Sequence, residues 1–391
     1  MDMSKAFDMV EWSKLFETLL ERKVDCIFLR LILFIYSNQQ CDVRWCDRRS
    51  RSFMVGNGVR QGGVSSGIFF ALYIDELLKM LRKSGLGCHI KGIFYGAVIF
   101  ADDIFLLSAS RNGLQQMVNI CHEFVSARNL KFGTNSDPLR SKTKCIIFSK
   151  RGRSQNLPMN IMLDGNKLPW VKHLKHLGHT IQSDNSMSID VAQKRGSFIA
   201  KMNSILQEFH FVEHSTLVKL TNTYATTLYG SNLWDLFSNE CERLYTSFNV
   251  AIRQMFHLNR RTHRYFIENI ADCIHLKTVL TSRYLTFYKS LITSKKRPVR
   301  FLARVTEKDQ RTVLGRTLSK LLAVSGLDDH ELDKLSVPLL KKKMVYREVP
   351  VEERWRIPAC RELLDLRQKK LDLPGFSHDE IQVMMDYVCV T

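Results

Sequence analysis

The chain has 391 residues, 45% hydrophobic and 25% charged, the balance of a folded protein with a real core rather than a disordered one. Its 58 Lys and Arg against 39 Asp and Glu leave a formal charge of +19. Such a surplus repels itself unless a polyanion binds, so nucleic acid or an anionic membrane surface is implied. The most apolar early run, Cys26 to Tyr36, carries Arg30 and is too short for a membrane span, which needs about 20 apolar residues. The start also lacks the basic, then apolar, then small-residue order of a secretory signal. Ten scattered cysteines form no CxxC pair, which argues against a zinc ribbon or a disulfide framework. They read as reduced, mostly buried thiols of an intracellular protein.

The length suits two or three domains at about 100–200 residues each. Val10 to Tyr36 has helical spacing, with Leu15, Leu19 and Leu20 assigned to one face, then a break and a second apolar run. Cys41 to Val59 alternates β-branched or aromatic residues with polar ones, which predicts a hairpin. Gly62 and Gly63 lead into a helix over Ile68 to Lys83. From His89 to Ser108 two short apolar runs flank Asp102 and Asp103, a hairpin that presents two carboxylates. A helix from Asn112 to Arg128, a loop from Gly133 to Arg140 and a short strand from Cys145 to Phe148 follow. Leu163–Asp164–Gly165–Asn166 marks a tight turn, and His173 to Ile181 reads as another hairpin. The pattern is then helical to Ser294, where the basic break Lys295–Lys296–Arg297–Pro298 predicts a boundary before a helical, charged tail.

Three strings carry chemistry. Phe100–Ala101–Asp102–Asp103 sets two adjacent carboxylates in an apolar strand, and these must face water, a cation or a turn. At a hairpin bend both can reach one ion cluster; a type I′ or open turn with two solvated Asp residues explains the spacing equally well. In Met1–Asp2–Met3–Ser4–Lys5–Ala6–Phe7–Asp8, Asp8 reads as the acidic start of the next helix, whereas Asp2 has no such explanation. Gly58–Val59–Arg60–Gln61–Gly62–Gly63 is a glycine-rich stretch before a helix, where a nucleotide can approach the backbone closely.

Together and in this order, the strings resemble the reverse transcriptases of non-LTR (LINE-type, Jockey-like) retrotransposons. The resemblance continues through Ser141–Lys142–Thr143–Lys144–Cys145 and His176–Leu177–Gly178. It extends to Leu228 through Leu236 and to Arg261–Thr262–His263–Arg264. It implies an α+β fold: a polymerase palm over residues 1–183, an antiparallel sheet backed by helices without complete fingers. A helical thumb over 184–294 and a basic helical tail over 295–391, with no assigned role, would follow.

The implied activity is RNA-directed DNA synthesis, adding deoxynucleotides to a primer 3′ end by two-metal phosphoryl transfer. Asp2, Asp102 and Asp103 would hold two Mg²⁺, with Mn²⁺ as a substitute. Phe7 is the expected steric gate against a 2′-hydroxyl, though it also reads as an ordinary core aromatic. Arg60, Gln61 and Gly62 would meet the incoming nucleotide. Lys142 would meet the leaving pyrophosphate, and a solvated lysine is the plain alternative. His176, Leu177 and Gly178 would grip the primer end. RNA template, DNA primer and deoxynucleoside triphosphates are the implied partners, no membrane is, and nucleus and cytoplasm are the implied compartments.

Two departures from the family pattern stand out. Ser65–Ser66–Gly67 replaces the usual Leu-Ser-Pro, and the family's fingers lie upstream of Asp2. Asp2 is therefore expected to lack the strand that should hold it, and the chain to be weak or inactive alone. The rival reading is a non-catalytic RNA- or DNA-binding remnant. A group II intron maturase shares the palm but fits the thumb strings less well. His173, His176 and His179 recur every third residue, but in a strand they would not all converge on a metal. His257, His263, Cys273 and His275 fit no standard zinc-finger spacing. The basic runs at Arg260–Arg261, Lys295 to Arg297 and Lys341 to Lys343 suit phosphate contact.

Overall fold

A computed structural model describes residues 1–135, 137, 140–148, 160–262, 267, 271 and 273–325, with three isolated positions up to 338. The chain divides into two compact units, the first ending at Leu174.

In the first unit, helix α1 (Trp12–Glu21) buries Leu15 and Leu19, four residues apart on one face. Leu20, expected on that face, is instead 56% exposed. One residue is a rotation of about 100° on a helix, enough to carry the side chain off the buried stripe. Asp8 does not start this helix either. It sits in the preceding turn, its N–H donating to the Lys5 carbonyl (3.0 Å) and its carboxylate accepting from Gln61. Helix α2 (Cys26–Ser37) is capped by Asp25, whose side chain accepts from the N–H groups of Ile27 and Phe28. It buries Leu29, Ile32 and Tyr36, while Ile27, Leu31, Phe34 and Ile35 stand exposed.

Strands β1 (Gln40–Cys41) and β4 (Phe53–Met54) pair around β2 (Arg44–Trp45) and β3 (Arg48–Arg49), forming the predicted hairpin. Helix α3 (Ser66–Lys83) buries Phe69, Phe70, Tyr73, Ile74, Leu77 and Leu81, a continuous stripe at helical spacing. Ser65 supplies no side-chain cap to it. The ribbons β5 (His89–Ile90) with β6 (Ile93–Phe94), and β7 (Ala97–Phe100) with β8 (Asp103–Leu106), lead into α4 (Arg111–Ser126). Ser110 caps α4 by accepting from the Gly113 N–H. One core cluster joins α1, α2, α3 and α4 to Met3 and Ile104.

The remaining strands are short. β9 (Cys145–Ile146) pairs in parallel with β12 (Trp170–Val171), and β10 (Met162–Leu163) pairs with β11 (Asn166–Lys167). The latter two are joined by Asp164 and Gly165, both left-handed, as a two-residue type I′ turn requires. Among the described residues the named strands form only two-stranded ladders, so the α+β composition is realised as small sheets laid against helices.

The hairpin of β13 (His173–His176) and β14 (His179–Gln182) opens the second unit, whose other described elements are helical. Helices α5 (Ser188–Glu208), α6 (His214–Leu220), α7 (Asn239–Met255) and α8 (Leu276–Ile292) surround Trp234, Phe198 and Phe248. Ser238 caps α7, Glu240 and Glu242 lie in its first turn and Arg253 in its last, all complementing the helix dipole. After the basic break, α9 (Arg297–Glu307) carries Pro298 in its first turn, where a missing N–H costs nothing. Helices α9 and α10 (Val313–Ser325) add Ala303, Leu318 and Leu321 to the same core. Tyr288 Oη donates to Glu307 Oε2 (2.8 Å) and Tyr284 Oη to the Leu314 carbonyl (2.9 Å). Half of the eight described cysteines are buried; Cys26, Cys41 and Cys46, on α2 and the first hairpin, are exposed, contrary to the expectation of mostly buried thiols. Burial pushes the Cys121 thiol up to about 12 and the Cys145 thiol up to about 11, far from thiolate reactivity. Among the described residues no helix is long and apolar enough to cross a membrane.

Candidate active site

The β7–β8 ribbon is in register through Phe100 opposite Asp103, so Ala101 and Asp102 form its two-residue turn. Ala101 takes φ +50°, a left-handed conformation that is strained for a residue with a Cβ. The predicted hairpin is therefore present, with Asp102 in the bend and Asp103 opening the return strand.

Asp2 is held from both sides, contrary to the expectation that it would lack a supporting strand. On one side it forms an antiparallel bridge to Asp103, with Ile104 N donating to the Met1 carbonyl (2.9 Å) and Met3 N to the Asp102 carbonyl (3.3 Å). On the other, Met3 bridges Phe132, Ser4 N donates to Lys131 O (2.9 Å) and Gly133 N donates to Asp2 O (2.9 Å). The segment after α4 thus serves as the flanking strand. Directly opposed residues of an antiparallel pair project from the same face, so Asp2 and Asp103 share one side of the ribbon.

Like charges directly opposite each other are unfavourable without a counter-charge. One is present: Lys142 Nζ lies 3.4 Å from Asp2 Oδ2. That oxygen is nevertheless buried and accepts no hydrogen bond, because the lysine satisfies the distance of an ion pair but not the geometry of a donor. Lys142 is delivered by a turn in which Thr143 N donates to the Gly133 carbonyl (3.0 Å) and Ser141 Oγ to the Thr143 carbonyl (2.7 Å). Burial pushes the Asp102 carboxyl above its usual range, and the charges of Asp2 and Asp103 push the same way, against its own backbone and Lys142. Among the described residues no three His, Cys, Asp or Glu side chains converge as a preformed metal cage. An orphaned buried carboxylate oxygen between like charges is still a donor set of hard oxygens. It suits Mg²⁺, which takes one or two carboxylates and retains waters.

Phe7 and the glycine-rich loop are brought together as well. Val59 N donates to the Phe7 carbonyl and Gly58 N to the Val10 carbonyl, both at 2.8 Å, and Trp12 Nε1 donates to the Gly58 carbonyl at 2.8 Å. Gly58, at φ +90°, lies so close to this turn that a Cβ would come within 2.9 Å of the Asp8 carbonyl oxygen. The Phe7 ring stacks on Phe70 at 4.7 Å, half-buried, which fixes its position without hiding it. Gln61 Nε2 reaches Asp8 Oδ1 (3.2 Å), whereas Arg60 and Gly62 are exposed.

In the second unit His176, Leu177 and Gly178 form the tip of the β13–β14 hairpin, with Leu177 and Gly178 both left-handed (φ 46° and 78°). Behind the tip lies a group that periodicity could not find. Asp190, 2% exposed, accepts from Thr180 N (3.0 Å), Trp234 Nε1 (2.9 Å) and Lys194 Nζ (2.9 Å). Lys194 also donates to the Gly178 carbonyl (3.2 Å). Burial pushes the Asp190 carboxyl up, but Lys194, the Thr180 N–H and Trp234 outweigh it and hold it below the ordinary value. The only local sign was an acid four residues before a lysine on a helix.

The histidines take different roles. His179 stacks on Tyr229 (5.3 Å) and faces Asp190 (3.5 Å), while His173 is exposed. His275 caps α8, accepting from Lys277 N, and contacts Asn249 (3.1 Å). His263, Arg264 and the basic run Lys341 to Lys343 lie outside the described residues.

With this geometry in place, comparison with known proteins agrees. Residues 1–181 match the family described as reverse transcriptase (RNA-dependent DNA polymerase). Among curated relatives, the Pol polyprotein of the type-2 retrotransposable element R2DM of Drosophila melanogaster is 30% identical over 39% of this chain and 14% of its own length. The corresponding polyprotein of element R2 of Nasonia vitripennis is 31% identical over 29% of this chain and 11% of its own. That of element R1 of Bradysia coprophila is 24% identical over 50% of this chain and 20% of its own. Residues 1–181 are thus a reverse transcriptase domain. The chain is similar to these retrotransposon Pol polyproteins and spans at most a fifth of their length.

Proposed function

We propose that the chain is the palm and thumb of an RNA-directed DNA polymerase, with residues 1–183 as palm, 184–294 as thumb and 295–391 as a basic tail. Its substrates are an RNA template, a DNA primer and deoxynucleoside triphosphates. The observation that carries this reading is the direct pairing of Asp2 with Asp103 across antiparallel strands, with Asp102 in the adjoining turn. Asp2, Asp102 and Asp103 would hold divalent cations, Mg²⁺ or Mn²⁺. When bound, these neutralise charge on the attacking and leaving oxygens of an in-line displacement.

The chain's own groups do the positioning. Ala101 and the two flanking strands fix where the carboxylates stand before substrate arrives, so little reorganisation is needed. Lys142 is two-thirds exposed, and an ion pair this open is worth at most about 1 kcal/mol. It can therefore exchange Asp2 for the leaving pyrophosphate. Phe7, braced by Phe70, would close the space beneath the sugar against a 2′-hydroxyl. Arg60, Gln61 and Gly62 would meet the triphosphate and the nascent pair. The His176–Leu177–Gly178 tip, tied through Lys194 to Asp190, would hold the primer end.

A second reading, a nucleic-acid-binding remnant without catalysis, draws support from the lack of a three-carboxylate cage among the described residues. Primer extension on poly(rA) with oligo(dT), dTTP and Mg²⁺ separates the two. Extension that disappears in Asp102→Ala supports the polymerase; salt-sensitive binding without extension supports the remnant.

A further inference from the structure

A cleft of about 450 Å³ in the second unit has no part in the chemistry above. One wall is the segment Thr227 to Asn232; the other is the face of α8 bearing Ser282, Arg283, Thr286 and Phe287. The first wall is shaped by Gly230, which takes φ +75° and lies against the His179 ring so closely that any Cβ would overlap it. That contact presents Tyr229. One face of its ring stacks on His179 (5.3 Å, 24° between planes), yet Tyr229 remains 66% exposed, so the other face is open.

Two cations converge on the same wall. Arg283 Nη1 donates to the Thr227 carbonyl (3.1 Å), and Lys201 Nζ donates to Thr227 Oγ1 (3.2 Å) and the Tyr224 carbonyl (3.0 Å). Neither makes an ion pair with a carboxylate among the described residues, although Arg283 is half-buried. Burial pushes its guanidinium below the usual value, the mark of a cation lacking a counter-charge. A half-buried cation, an open aromatic face and a rim of hydroxyls form a combination with one evident complement: an anion joined through a sugar to a flat ring.

We propose that this cleft seats one nucleotide of a nucleic-acid single strand, its base extending the His179–Tyr229 stack and its phosphate pairing with Arg283 and Lys201. The hydroxyls of Thr286 and Ser290 and the amide of Asn232 face the sugar and the base edge. The assignment rests on the nucleic-acid reading above but not on polymerase activity, because a stacking platform with a basic groove binds strands whether or not they are extended.

The test is fluorescence anisotropy of a labelled oligothymidylate with the full chain, titrated at several salt concentrations, for the native protein and for Tyr229→Ala, Tyr229→Phe and Arg283→Ala. Tyr229→Ala is expected to weaken binding roughly ten- to a hundredfold, while Tyr229→Phe retains it. Arg283→Ala should also flatten the salt dependence by roughly 0.7 of a log-log unit, one phosphate contact on a single strand. Tyr229 is exposed, so its variants report binding even if loss of Arg283 disturbs folding. Binding by the native chain that none of the variants alters overturns the cleft assignment alone. Failure of the native chain to bind any oligonucleotide overturns both the cleft and the functional reading.

Discussion

Removing the carboxylate of Asp190 should cost far more than its distance from the acidic turn suggests. The group is 2% exposed and is the common acceptor for Thr180 N, Trp234 Nε1 and Lys194 Nζ, with His179 Nδ1 at 3.5 Å. In Asp190→Ala the Trp234 and Thr180 N–H groups lose their acceptor, and the Lys194 ammonium, only 17% exposed, stays behind without its charge partner. Breaking a buried pair in this way costs about 3–5 kcal/mol. Asp190→Asn keeps an acceptor oxygen and loses the charge, so the expected loss is about 1.5–3 kcal/mol, that of a hydrogen bond to a charged group. The assay is urea unfolding followed by circular dichroism, comparing midpoints at matched slope. A loss below about 1 kcal/mol for Asp190→Ala would mean that the donors find other acceptors and that Asp190 is not the anchor of this group.

The same carboxyl sets a pH dependence. Held below its ordinary value in the fold, it binds fewer protons folded than unfolded, so its contribution is complete above about pH 4 and is lost as pH falls through the folded value. Unfolding midpoints measured from pH 6 downward should fall less steeply in Asp190→Asn than in the native chain. Leu19→Ala, in the α1 core, should lose about 2–5 kcal/mol, while Leu20→Ala should change stability by no more than about 0.5 kcal/mol; paired denaturation curves decide this. Gly58→Ala forces a left-handed φ and a backbone overlap at Asp8 together, and should lose more than the roughly 1–3 kcal/mol of backbone strain alone. Gly62→Ala meets open space and should lose only the strain component, readable in the same unfolding assay.

Elements whose signal is local were legible in the sequence. The stripe from Phe69 to Leu81 on α3, the Asp164–Gly165 turn and the paired acids at the β7–β8 bend each follow from spacing or backbone preference within a few residues. Leu20 was misplaced because neighbouring leucines on a short helix satisfy a face pattern that only packing can resolve. Asp8 was read as a helix start because an acid before a helical run suits the dipole, but its partner is Gln61, fifty-three positions away. Asp190 was invisible for the same reason, its Trp234 partner lying forty-four positions on. The support of Asp2 comes from Lys131 to Gly133, at the junction between the helix expected to end at Arg128 and the loop expected from Gly133, where no strand is expected.

Whether Asp2, Asp102 and Asp103 act together on a divalent cation is tested without requiring turnover by Mn²⁺ titration of the full chain, followed by the loss of free-ion paramagnetic resonance signal. Uptake by the native chain should be weakened at least tenfold in both Asp2→Asn and Asp102→Asn, with circular dichroism unchanged. Equal uptake by the native chain and both variants would contradict that joint action.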